Sequence, residues 1–139
     1  MKKVIIIIII VFLLFCTNVF NNSAFSIKMN WNFYIKTENE LIYTKNNRSG
    51  FPSDGYVYTI LLYDDINDIL KKNNWESSKN LEIEKYFSEI LSKINVDKQF
   101  IPNFENRYIY YTETDRDNSM LYVIYFENTD ILYVLEQFL

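Results

Sequence analysis

The chain has 139 residues, a formal charge of −4, an isoelectric point near 4.8, one cysteine and no histidine. Basic residues never run longer than the pairs Lys2-Lys3 and Lys71-Lys72, which excludes a reader of nucleic-acid backbones, since that needs a cationic stripe, and speaks against adhesion to anionic membrane surfaces. Without histidine, neither a Ser-His-Asp nor a Cys-His arrangement can be assembled, and the usual zinc ligands are missing apart from carboxylates.

Met1-Lys2-Lys3 leads into an unbroken apolar run, Val4 to Phe15, with consecutive isoleucines from Ile5 to Ile10, and a small-polar stretch closes at Ser23-Ala24-Phe25-Ser26. Cations, a short greasy core and small residues at the end are the three parts of a secretory leader. Residues 1–26 are therefore expected to be cleaved, leaving one domain, residues 27–139, secreted or otherwise outside the cytoplasm. Spanning a bilayer takes about 20 apolar residues, more than Val4–Phe15 supplies; an uncleaved anchor over residues 4–20 is the alternative, and the membrane would then be reached only through this segment. A lipid on Cys16 is a third reading, disfavoured by Phe15, where a lipidation signal carries a small residue. All 18 acidic residues follow Ser26, so the domain is more acidic than the whole chain. It contains no cysteine and must rely on its core rather than on disulfides. The 12 tyrosines and 11 phenylalanines supply the material.

Beyond the leader, Trp31–Ile35 alternates well enough to predict a first strand. Gly50-Phe51-Pro52-Ser53-Asp54-Gly55 is the strongest turn signal in the chain, and the β-branched and aromatic run Tyr56–Tyr63 after it predicts a central strand. Asp64 or Asp65 is expected to cap a helix whose stripe is Ile66, Ile69 and Leu70 and which ends near Asn73-Asn74-Trp75. A second helix is expected from about Asn80 to Ile94, where Ile83, Phe87, Ile90, Leu91 and Ile94 recur at three- and four-residue spacing. Pro102 marks the exit into three strands, Arg107–Glu113, Met120–Glu127 and Ile131–Phe138, joined by short polar loops as an antiparallel meander. The fold class is α+β: one antiparallel sheet of about four or five strands, with two helices packed on one face.

Both faces of the meander read as apolar. With helices on one side only, the other would present Tyr122, Tyr125 and Tyr133, joined by Tyr108 and Tyr110, as a binding surface for a protein, peptide or sugar. The competing expectation is that residues 27–47 cover this face, or that the tyrosines are simply core. Asp54, in the Gly50–Gly55 loop, is the best-placed acid, although a turn former is its ordinary role. Asp115-x-Asp117-x-Ser119 begins like a calcium loop but has Met120 where glycine is needed and Phe126 where glutamate is needed. No catalytic or metal residues are assigned, and no cofactor is expected.

The combination of Gly50-Phe51-x-x-Asp54-Gly55, a hydrophobic strand, Asp64-Asp65, Trp75 and Ile101-Pro102-x-x-x-Asn106-x-Tyr108 before a tyrosine-rich meander resembles small domains of low-GC Gram-positive bacteria that have no established activity. The likeness spans Ser49 to Leu139 and departs at Arg107, where a turn glycine is expected. It implies a recurring fold and carries no mechanism.

Three functions follow as expectations. The first is an exported, non-enzymatic interaction module with a protein partner, of which an inhibitor is one form. The alternative is a small-ligand or carbohydrate-binding protein using the tyrosine face. Last comes a carboxylate-dependent hydrolase working through Asp54. The leader is checked by intact mass of the protein from its source cell: loss of residues 1–26 is expected, a full-length chain means a tether, and a diacylglycerol adduct on Cys16 overturns simple cleavage.

Overall fold

A computed structural model describes residues 22–50 and 54–139. Five runs of alternating or continuous apolar residues form strands: β1 (Glu40–Asn46), β2 (Gly55–Leu62), β3 (Tyr108–Thr114), β4 (Met120–Phe126) and β5 (Ile131–Phe138). They make one antiparallel sheet in the order β1-β2-β5-β4-β3, so the last strand of the chain lies at the centre. Among the described residues three α-helices accompany it, α1 (Ser23–Asn30), α2 (Asn67–Lys72) and α3 (Leu81–Lys93). The expected α+β class and antiparallel sheet are both present.

Both faces of the sheet are covered. Along β4, Leu121, Val123 and Tyr125 enter one core, and Tyr122, Ile124 and Phe126 enter the other. The first core is closed by Ala24 and Ile27 of α1, by Trp31, Phe33 and Ile35, and by Ile66 and Ile69 at α2. The second is closed by Ile83, Phe87, Ile90 and Leu91 of α3, then by Ile94 and Val96. Two helices do share a face, but they are α1 and α2; the helix expected from Asn80 to Ile94 covers the opposite one. Its bounds are as the sequence predicts, because Asn80 accepts hydrogen bonds from the backbone N–H groups of Glu82 and Ile83, satisfying donors that a helix start leaves free. The cap of α2 differs: it falls at Ile66, whose side chain has nothing to offer, while Asp65 turns its Oδ1 to the Asn67 N–H at 2.9 Å.

Trp31–Ile35 is not a strand. Its odd residues are buried as the alternation requires, but the segment lies on top of the sheet rather than within it. Side chains take the place of a neighbouring strand. Glu113 accepts from the Asn32 N–H at 3.0 Å, and Asn73 both accepts from Tyr34 N at 2.8 Å and donates to Tyr34 O at 2.9 Å. Alternation reports one buried side and is silent on what satisfies the backbone.

The helix α1 begins inside the expected leader. Asn22 caps it, accepting from Phe25 N and donating to Thr37 O, both at 3.0 Å, and Ala24 is fully buried. A cut after Ser26 would strip the cap and the first turn of α1 from the first core. The remaining residues of the expected leader or anchor, with Cys16, and Phe51–Ser53 of the expected turn lie outside the described residues. At Gly55 the backbone is at φ +135°, and a Cβ would stand 2.9 Å from Arg48 Cα, so any larger residue there is strained.

Phe87 is fully buried and meets Tyr58 and Phe104 edge-on, with both centroid distances 5.9 Å. Phe87→Ala is expected to cost about 3–5 kcal/mol, read as a lowered urea midpoint with an unchanged slope.

Candidate functional site

The five tyrosines expected on an open face are core or near-core residues. Tyr108, Tyr110 and Tyr122 point into the α3 side and Tyr125 into the α1 side, each less than a tenth exposed. Their hydroxyls are mostly spoken for within the fold. Tyr108 donates to Glu84 Oε1 at 2.8 Å, Tyr110 to Glu76 Oε2 at 2.6 Å, and Tyr122 to Met120 Sδ at 3.2 Å. Burial and the neighbouring Glu84 push the Tyr108 hydroxyl up to about 12. Tyr133 is half-buried with the Phe126 ring against it at 5.4 Å. The expected tyrosine surface is therefore closed, because a sheet apolar on both sides has to be covered on both. Asp54 is exposed and forms a bridge with Ser49, whose N–H bonds to its carbonyl at 3.1 Å; it keeps the turn role. Asp115 and Asp117 organise the tip between β3 and β4, with Asp117 Oδ1 accepting from Ser119 N at 2.9 Å. No cluster of three metal-ligating side chains occurs among the described residues.

What the sheet leaves open is an edge. On the β3 side, Glu76 and Tyr110 exchange backbone hydrogen bonds of 2.8 and 2.9 Å, so the outer rim is partly paired. On the β1 side no backbone segment pairs with the outer rim among the described residues. β1 is the most exposed strand, and Leu41 (46%) and Ile42 (37%) are large apolar side chains open to water. A register shift between Leu41 and Tyr43 bulges the strand there. Beside its start lies a cleft of about 440 Å³ lined by Glu38, Asn39, Glu40, Leu62 and Asp64. None of its three carboxylates forms an ion pair among the described residues.

A second feature is a buried acid. Glu136 is 4% exposed, and its Oε1 accepts the Trp31 indole N–H at 2.8 Å. Burial raises its carboxyl above the ordinary 4.5, against the opposing pull of Trp31, Asn30 and the Arg48 charge. Sequence reasoning passed over both features. Glu136 stands in phase with Leu132 and Val134, and a carboxylate at that position of a central strand was the available signal. The edge had no signal, because strand order is not written in any local pattern.

No family model, no curated protein and no solved structure matches the chain. Among the described residues no helix is long and apolar enough to cross a membrane.

The folded state holds the Glu136 proton more tightly than the unfolded chain does, so ionising this group costs stability as pH rises above the ordinary carboxylate range. Glu136→Gln keeps an acceptor for Trp31 and removes that cost. Its urea midpoint relative to the parent is expected to climb between about pH 4 and about pH 7; parallel pH profiles for the two proteins would contradict this.

Proposed function

We propose that the protein is an extracytoplasmic interaction module that acts by binding rather than catalysis, taking an extended segment of a partner protein along the outer rim of β1. The observation that carries this reading is the open, partly apolar edge. Unpaired N–H and C=O groups on an edge strand are a template for an added strand, in which backbone bonds supply affinity and side-chain pockets supply selectivity. The cleft formed by Glu38, Glu40 and Asp64 adds a preference. A partner segment with a lysine or arginine near one end would set its cation there, and the acidic character of the whole chain favours the same sign of partner. The apolar run supports the location, held as an uncleaved anchor over residues 4–20 so that α1 stays whole, and the absence of histidine and of a second cysteine supports the non-catalytic role. The tyrosine face does not enter this proposal, since its side chains are packed.

Leu41→Glu with Ile42→Glu places charge on the edge without touching either core. A partner captured from the source cell's envelope and medium by the full tagged chain is expected to be lost with this double variant and to weaken at least about tenfold with Glu40→Lys. Glu89→Lys, on an exposed turn of α3, serves as the control and is expected to keep the partner. Equal retention by the edge variants would remove β1 as the contact.

A further inference from the structure

The helix α1 has two unlike sides. Ala24 and Ile27 are fully buried in the first core, whereas Asn22, Ser26 and Asn30, one turn apart, form a polar stripe that borders the corner of the sheet built by β1, β2 and β5. Under a helix a sheet is normally apolar, as it is at Leu61, Leu132 and Val134 on this same face. At this corner it is not. Thr44, Thr59 and Glu136 lie beneath the stripe, and together the two layers enclose a cleft of about 290 Å³. Arg48 and Phe138 form its end, with the guanidinium 3.7 Å from the ring centroid.

Two of these groups are unusual for a merely structural corner. Glu136 is a buried carboxylate whose Oε1 accepts the Trp31 indole N–H. Thr59 is 1% exposed, and its Oγ1 is the one buried side-chain polar atom with no hydrogen-bond partner among the described residues. An unsatisfied buried hydroxyl is disfavoured and marks a place where a further polar group belongs. Valine would fill the same volume without that demand, and valine is what the sequence uses at the register partner, Val134.

From the polar stripe, the buried hydroxyl and the carboxylate, we infer that the cleft between α1 and the β1-β2-β5 corner binds a small uncharged polyhydroxylated ligand of about monosaccharide size. The chemistry of the walls selects this class. Hydroxyl and primary amide side chains both donate and accept, as sugar hydroxyls do, and a carboxylate accepts from two neighbouring hydroxyls. Val57 and Phe138 give an apolar strip for the C–H face of a pyranose. The lining carries one acid, Glu136, and one base, Arg48, and so offers no net attraction to either sign of ion. This site is independent of the proposed edge contact: it uses the inward face of the sheet and α1, not the outer rim.

The test uses the full chain and a panel of free monosaccharides with polyol and amino-acid controls, read by thermal shift and by saturation-transfer NMR at millimolar concentration. One or more saccharides are expected to raise the melting temperature and to show transfer from the protein. Thr59→Val is expected to fold at least as well as the parent and to bind about tenfold more weakly. Ser26→Trp, at an exposed position over the cleft, is expected to abolish binding, while Leu41→Glu with Ile42→Glu leaves it unchanged. Absence of any saccharide response overturns the inference. So does a response confined to amino acids, or saccharide binding unaffected by both Thr59→Val and Ser26→Trp.

Discussion

The constraint on which everything else rests is that β4 and β5 are apolar on both sides. Leu121, Val123, Leu132 and Val134 face one way, and Tyr122, Ile124, Phe126 and Leu135 the other, and nearly all are out of water. Each such side chain left exposed would forfeit about 1.5–3 kcal/mol. One helical layer cannot satisfy two faces. The chain therefore commits α3 and the stretch after it to one side, and spends its N-terminal segment, with α2, on the other. This explains why residues with no regular structure, Trp31, Phe33 and Ile35, are among the most buried in the molecule. It also explains why Asn73 and Glu113 are recruited to hold their backbone.

The same constraint governs where ligands or partners find room. A sheet covered twice has no free face, so its outer surfaces belong to helices and its openings fall at edges and corners. Two exist on the β1 side. The rim of β1 presents backbone groups, and the corner beneath α1 presents a polar lining inside an otherwise apolar layer. They differ in chemistry, one suited to an extended chain and the other to a compact neutral molecule. Glu136 belongs to the second and is oriented by Trp31, a residue 105 positions earlier in the chain.

Local structure was legible in the sequence wherever period and punctuation agreed. The bounds of α3 follow from its apolar spacing and from Asn80. The three C-terminal strands follow from β-branched and aromatic runs between polar loops. At Asn118 and Asn128 those loops adopt positive φ, which asparagine tolerates better than most residues. Legibility ended where tertiary placement decides. Trp31–Ile35 carries a strand's alternation without a strand's partners. Tyr122 and Tyr125 read as surface only if one face is assumed bare, and the covering layer is supplied by residues distant in the chain, Ala24 and Ile27 over Tyr125 and Phe87 and Leu91 on the side of Tyr122. The edge at β1 depends on strand order, and the Thr59 corner on how α1 crosses the sheet; neither leaves a short-range mark.

The position of β5 has a consequence for how the sheet assembles. β1 with β2 forms one hairpin and β3 with β4 another, and β5, which follows all four in the chain, joins them. Until β5 is in place, the two hairpins share no hydrogen-bonded neighbour and neither core has its middle wall. The β2–β5 pairing also closes a loop of the sort that forms late, because its residues are far apart in sequence. The sheet therefore closes in one step, on a strand that follows all its neighbours in sequence, and neither hairpin alone can hold half of the fold.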